Sequence, residues 1–444
     1  MSEVSEVPKE SAEELVALAA EAYVYGYPLV HDLSTVEDFM QTGSGPLPPA
    51  PFNHFAHAGR PAPADTHFVP GDSDTVLSIA HLDLSGGPVL LHAPGTDGAY
   101  YVLQFVDAWT NNFAYVGSRA TGTGAGDWLV VPPGWSGSVP DGPRGVIDAP
   151  TSVVSVIGRN ACNGPEDMGR VRALQEQLAL THLEPGTHRT GLPAPDPDVP
   201  ESLRFYEQLR VWMADFPPSA ADQAYQDRFQ PLGLLEEGPS PYVSADPALL
   251  RALTEGLARG RARVEEASRP AAAGGGWEMD PHLFDYNLDR HGVGTVDSPQ
   301  WRIADREAAY PARAVAARNA LWGSHGYEAV YAHTARDADG EQLNGAHSYV
   351  LSFEQQEQRQ PPVEAFWSVT THPASGLAPG VVYGEGGSPT VHIRRERPDD
   401  PAAAANWLPA PDGDFRLVLG LHVPGAGILD GTYEIPAVER SGEQ

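Results

Sequence analysis

The 444-residue sequence predicts a mainly β protein with helical insertions, organised as two β-sandwich (jelly-roll-like) domains flanked by helices. Three observations predict it. Short β-rich runs broken by turn residues fill Thr75 to Val131 and return from Ser348 to Leu421. Helical spacing dominates the stretch between them, and Ala271 to Gly276 reads as a flexible joint. On this plan the domains are 1–183, 184–276 and 277–444.

The elements are justified in chain order. Ser11 and Glu14 fit a capping box, after which Leu15, Leu18, Ala19, Ala22 and Tyr23 repeat at helical spacing. Pro28 is expected to help end that helix. Gly43 to Pro51 and Asn53 to Ala64 are rich in proline and glycine and read as irregular chain. Val89 to His92, Tyr100 to Val106 and Trp128 to Val131 read as antiparallel strands separated by turn chemistry. Ser152 to Ile157 is a further strand. Pro165 then suits a first helical position, Glu166 and Asp167 favour the positive helix end, and Met168, Val171, Leu174 and Leu178 form the buried stripe. Beyond a proline-rich connector, Arg204 to Phe216 and Pro247 to Glu266 are helical. Arg302 to Leu321 is a last long helix, followed by strands at Ser348 to Phe353, Val363 to Thr371, Pro389 to Arg394 and Asp414 to Leu421.

Composition excludes several functions. The chain is 41% hydrophobic, enough for an ordinary core. Its 59 acidic and 28 basic residues give a net charge of −31, which repels phosphate backbones and anionic lipid. Nucleic acid and membrane surfaces are therefore not expected partners; a small-molecule ligand or substrate is, and the sequence leaves oligomeric state open. Lys9 is the only lysine and lies in a polar tail, which argues against Schiff-base chemistry. Cys162 is the only cysteine, so intrachain disulfides and Cys-rich zinc sites are excluded. No apolar run approaches the roughly 20 residues that span a bilayer. The first residues lack the apolar core of a secretory signal, so a cytoplasmic location is expected. No motif indicates a cofactor. His54 and His57 lack the His-Glu-x-x-His pattern, and no metal site is expected.

Longer stretches are more specific. Ala22-Tyr-Val-Tyr-Gly-Tyr-Pro28, Asp74-Thr75, Leu82 to Leu84, Tyr100 to Phe113 with Gly117 and Arg119, and Ile157-Gly-Arg159 resemble the bacterial family called domain of unknown function 1254. Asp339-Gly340, Leu343 to Gly345, Pro361-Pro362, Ala365-Phe-Trp-Ser368, Asn406 to Pro411 and Leu429 to Gly431 resemble the domain of unknown function 1214. The order, 1254 before 1214, is that of proteins carrying both, and the chain is identified as a divergent member. It departs from their pattern at Gly71, at Ala99 and at Gly420 to His422. The resemblance implies the order of modules and does not imply a reaction.

The first β-rich block gathers the residues best suited to chemistry. Asp74 is read as a general base, Arg119 as the group holding an anionic or carbonyl oxygen, and His81 as a partner of Asp74. Asp107, Trp109, Asn111 and Asn112 are read as ligand-binding, by hydrogen bonding and by stacking. Each also has a structural reading, as a turn cap, a core aromatic or a buried ion pair. The leading expectation is an enzyme using acid/base chemistry on a small organic or carbohydrate-like molecule. A noncatalytic carbohydrate- or metabolite-binding protein is the first alternative, and a structural or interaction protein the second.

Overall fold

The computed structural model describes residues 9–61, 75–183, 191–269, 276–354, 360–373, 381–383 and 390–441. The chain is β-rich, with 27% of residues in strands, and helices hold a further 30%. Among the described residues the strands form four sheets. The first comprises β1 (Phe55–His57), β2 (Thr75–Asp83), β4 (Tyr101–Asp107), β5 (Asn112–Gly117) and β8 (Val153–Ala161), in the order β1-β2-β8-β4-β5. The second comprises β3 (Val89–Ala93), β6 (Gly126–Val131), β7 (Gly145–Asp148) and β9 (Ala179–His182), in the order β7-β6-β3-β9. Alternation along the strands divides their faces. Val154 and Val156 of β8 and Leu103 and Phe105 of β4 point one way, into a buried cluster shared with Val89, Leu91 and Val130 of the second sheet.

The C-terminal half repeats this plan. Its third sheet runs β10 (Glu278–Met279), β11 (Ala329–Thr334), β17 (Phe415–Pro424), β13 (Val363–Pro373), β14 (Val381–Tyr383). Its fourth runs β16 (Trp407–Pro409), β15 (Thr390–Arg394), β12 (Tyr349–Ser352), β18 (Val438–Arg440). Leu417, Leu419, Leu421, Trp367 and Val369 from the third sheet share a core with Leu351 and Ile393 from the fourth. The expected strands at Val89, Tyr100, Trp128, Ser152, Val363 and Asp414 all form. Short β1 lies inside the segment expected to be irregular. β6·β7 and β15·β16 pair in parallel, where only antiparallel pairing was expected.

Helices cover the other face of the first sheet. They are α1 (Lys9–Thr42), α2 (Met168–Gln175), α3 (Arg204–Asp215), α4 (Gln223–Asp227), α5 (Pro247–Ala267) and α6 (Arg306–Ala320). Pro28 does not end α1, which continues to Thr42. Proline costs the helix one hydrogen bond, but Leu29, Leu33, Val36 and Phe39 beyond it are all buried against the same core and hold the helix together. That core also contains Leu209 of α3, Leu253 of α5, and Tyr310 and Ala317 of α6, so α6 completes a cluster begun by α1. Among the described residues, no helix is long and apolar enough to cross a membrane.

The crossing of α1 and α5 is set by backbone proximity. A Cβ on Gly256 would meet the Cβ of Ala19 at 2.3 Å and its backbone carbonyl carbon at 3.0 Å; one on Gly260 would meet Tyr23. An exposed Gly→Ala change in a helix gains about 1 kcal/mol. Overpacking costs about 1–3 kcal/mol, and here the obstructing atoms include main chain. Gly256→Ala is therefore expected to lower the unfolding free energy by up to about 2 kcal/mol in urea titration with an unchanged m-value. A gain in stability would show that the helices can separate freely.

Candidate functional site

Gln104, Asn112 and Arg159, polar residues of the family-like stretches, lie on the helix-facing side of the first sheet. β2, β8, β4 and β5 bring together His81, Ser155, Val106 and Asn112 in one row. Ile157, Gln104 and Tyr115 form the next row, and Arg159 and Val102 the one beyond. These buried polar groups meet the turn after α6. Arg159 Nη1 donates to Gln104 Oε1 at 2.8 Å, and its Nη2 to the Trp322 carbonyl at 3.2 Å. The amides of Gln104 and Asn112 both donate to the Gly323 carbonyl at 2.9 Å. Trp322 adopts φ 61°, uncommon outside glycine, and its indole donates to buried Asp32 at 2.6 Å. Burial raises the Asp32 carboxyl well above the usual range, against the opposing effect of that hydrogen bond.

The residues singled out in the sequence fall into separate neighbourhoods. Asp74 lies outside the described residues. His81 is buried, its Nδ1 is 2.9 Å from Ser155 Oγ, and desolvation lowers its pKa to about 3. Asp107 accepts from the amides of Trp109 and Asn111 and from the Asn111 side chain, each at 2.9 Å, closing its own turn. Trp109 is buried, with its indole on the Phe216 carbonyl at 2.9 Å. Asn111 accepts from Arg313 at 3.0 Å. Asp107, Trp109 and Asn111 share one crevice of about 10 Å³, room for about a single water. Asn112 belongs instead to the Arg159 network.

Arg119 lies at the seam between the two halves. Its Nε donates to Glu328 at 2.6 Å and its Nη2 to the Gly294 carbonyl at 2.5 Å, and its guanidinium covers the Tyr327 ring at 4.7 Å. Glu328 is buried and also accepts from the Tyr100 hydroxyl at 3.0 Å. His325 stands between the Tyr115 and Tyr327 hydroxyls at 2.9 and 3.0 Å, and burial lowers its pKa to about 3. Arg119, Tyr100, Ser118, Asn163 and Arg170 face Glu364, Phe366 and Val423 across a crevice of about 290 Å³.

A larger cleft, about 440 Å³, opens where the first sheet, the ends of α5 and α6, and the third sheet meet. Its walls include Arg159, Phe284, Ser324, Tyr331, His333, Glu278 and Arg416. The third sheet positions the last four. His333 pairs with Glu278 on one side and Val418 on the other, so Glu278, His333 and Val418 share a face. Tyr331 and Arg416 lie two residues along, on that same face. The other face is the leucine core. His333 is exposed, and partial desolvation followed by the Arg416 charge holds its pKa below the ordinary value, with Glu278 opposing. A neutral, solvent-reachable imidazole thus sits between a carboxylate and a guanidinium. Sequence reading did not single out Glu278, His333 or Arg416. The available signal was alternation: Tyr331 and His333 between Val330, Ala332 and Thr334, and Arg416, Gly420 and His422 between leucines. Among the described residues, no cluster of three metal-ligating side chains forms.

The fold and this site define a protein of two β-rich halves, joined by a helical layer, with polar clefts at the junctions. Residues 52–182 match the family described as protein of unknown function DUF1254, and residues 328–426 match that described as protein of unknown function DUF1214. The chain belongs to the proteins that carry these two families in this order. No curated protein matches it. Among solved structures, a protein from Vibrio parahaemolyticus aligns over 96% of this chain and 100% of its own, at 21% identity and TM-score 0.72, which shows a shared fold. A protein from Burkholderia cenocepacia aligns over 98% of this chain and 94% of its own, at 13% identity and TM-score 0.43.

The seam can be tested directly. Tyr100→Phe removes one hydrogen bond to a buried carboxylate and is expected to cost about 1.5–3 kcal/mol in chemical denaturation. An unchanged midpoint would show that Glu328 is satisfied without it.

Proposed function

We propose that the protein is an enzyme that uses acid/base chemistry on a small carboxylated organic molecule seated in the junction cleft. The observation that supports this reading most is that His333 and Arg416, on neighbouring strands, share one face of the third sheet at the wall of that cleft. Arg416 would hold the carboxylate, because a guanidinium presents two parallel N–H donors to it. His333 is the base, being neutral and reachable, and Glu278 steadies the imidazolium that forms. The cleft volume suits a compact ligand. Phe284 and Tyr331 supply apolar wall for its carbon skeleton. In this reading each half is a β-sandwich closed on its shared cluster, and 1–183, 184–276 and 277–444 are the working domains. Asp107, Trp109 and Asn111 then serve as scaffold. A binding role without chemistry is the second reading, favoured by the same aromatic wall.

The test is a thermal-shift and calorimetric screen with succinate, citrate and gluconate, repeated on Arg416→Gln and His333→Gln. Arg416→Gln is expected to weaken binding by about tenfold or more, and His333→Gln to retain binding while losing turnover. Stabilisation that survives Arg416→Gln unchanged would sink the proposal, and binding with no turnover in the native protein would leave the second reading. The His333 ring, followed by NMR, is expected to titrate below the ordinary histidine value. Arg416→Gln removes a positive charge, so it should raise that value; a ring indifferent to the substitution would show the two groups do not interact.

A further inference from the structure

We propose that the seam crevice is a second ligand site, separate from the junction cleft, and that it takes the zwitterion of a small free α-amino acid. Its two guanidinium groups each keep donor capacity that the protein does not use. Arg170 forks onto Asp167 through Nε at 2.7 Å and Nη2 at 2.5 Å, and Nη2 also reaches the Ala161 carbonyl. Its Nη1 is buried and has no hydrogen-bond partner among the described residues. A buried N–H left without an acceptor is costly, and Arg170 also lines a space of about 290 Å³. Arg119 uses Nε on Glu328 and Nη2 on Gly294, and its Nη1 makes no hydrogen bond among the described residues. Both arginines come from the N-terminal half.

The opposite wall comes from the C-terminal half and differs in charge. Glu364 is exposed and makes no ion pair among the described residues. Beside it, Ala365, Phe366 and Val423 form apolar wall. Val423 is a β-branched residue at φ 51°, a strained conformation held by its amide on the Glu328 carbonyl at 2.9 Å.

Charge decides between ligand classes. Arg119 and Arg170 supply two positive charges, but Glu328 and Asp167 already offset them, and Glu364 adds a third carboxylate. A plain anion therefore enters a site with one negative charge in excess. A plain cation leaves the orphan guanidinium N–H groups unsatisfied. A zwitterion answers both, with its carboxylate on the Arg119 and Arg170 nitrogens and its ammonium toward Glu364. The short apolar wall suits an aliphatic side chain. Because the ligand would touch both halves, it would also brace the seam.

Isothermal titration of the full chain with L-alanine, L-valine and L-leucine tests this, with propionate and n-propylamine as half-ligands. An amino acid is expected to bind at least about tenfold more tightly than either half-ligand. Arg170→Gln should weaken it by about tenfold, and Glu364→Gln should reduce it to the level of propionate. Glu364 is exposed, so its variant tests the site even if Arg170→Gln disturbs folding. Absence of amino-acid binding by the native protein would overturn the proposal. So would binding lost in Arg416→Gln but intact in both seam variants, since that ligand would belong to the junction cleft. Seam binding that persists in Arg416→Gln, alongside a failed carboxylate screen, would keep this inference and remove the proposed function instead.

Discussion

The two halves of the molecule meet on one buried carboxylate. Glu328 takes the Arg119 guanidinium on one oxygen and the Tyr100 hydroxyl on the other, linking residues more than two hundred positions apart. Burying a carboxylate without such partners is costly, so the burial of Glu328 is conditional on both halves being in place. Once they are, much else follows. Backbone groups of Glu328 and Val423 pair at 2.9 Å, which anchors the end of β17. The His325 amide accepts no freedom either, since it donates to the Tyr115 hydroxyl at 3.1 Å.

The two cavities lean on a common stack behind that anchor. Tyr331, in the junction cleft, meets His422 edge-on at 5.9 Å. His422 stacks on Phe366 at 4.2 Å, and Tyr100 packs edge-on against both. Phe366 and Tyr100 are walls of the seam crevice. The walls of the two cavities therefore rest on one set of contacting side chains, and close-packed interiors transmit displacement.

Much of the fold was legible because its strands carry local signals. β3, β4, β6, β8, β13 and β17 each combine β-branched or aromatic residues with flanking turns. What the sequence hid was nonlocal. The parallel β6·β7 and β15·β16 pairs depend on the chain crossing back between consecutive strands, and β1 on Phe55 to His57 facing Ser78 to Ala80 of β2. Pro28 misled because helix propensity is a local cost, whereas burial of Leu29, Leu33 and Val36 is a tertiary gain. The site divides in the same way. The motif residues Gln104, Asn112 and Arg159 were visible as family signatures, yet their convergence on the 322–323 carbonyls requires α6 to dock. Arg119 was visible as an arginine among carboxylates, but its partner, Glu328, lies in the other half. Alternation marks the faces of His333 and Arg416, but only the ladder of the third sheet sets Glu278 opposite His333 and brings Arg416 onto the same face.

The place of α6 in the first core has a consequence for biosynthesis. Tyr310, Ala317, Leu321 and Trp322 fill the same cluster as α1 and the first sheet. A ribosome delivers those residues only after about seven-tenths of the chain has emerged, at a pace of about 5–20 residues per second. For that interval of roughly ten seconds or more, the helix-facing side of the nascent first sheet is short of part of its cover. The order in which segments appear is thus not the order in which cores close, and the nascent chain depends on whatever shields that face until α6 arrives.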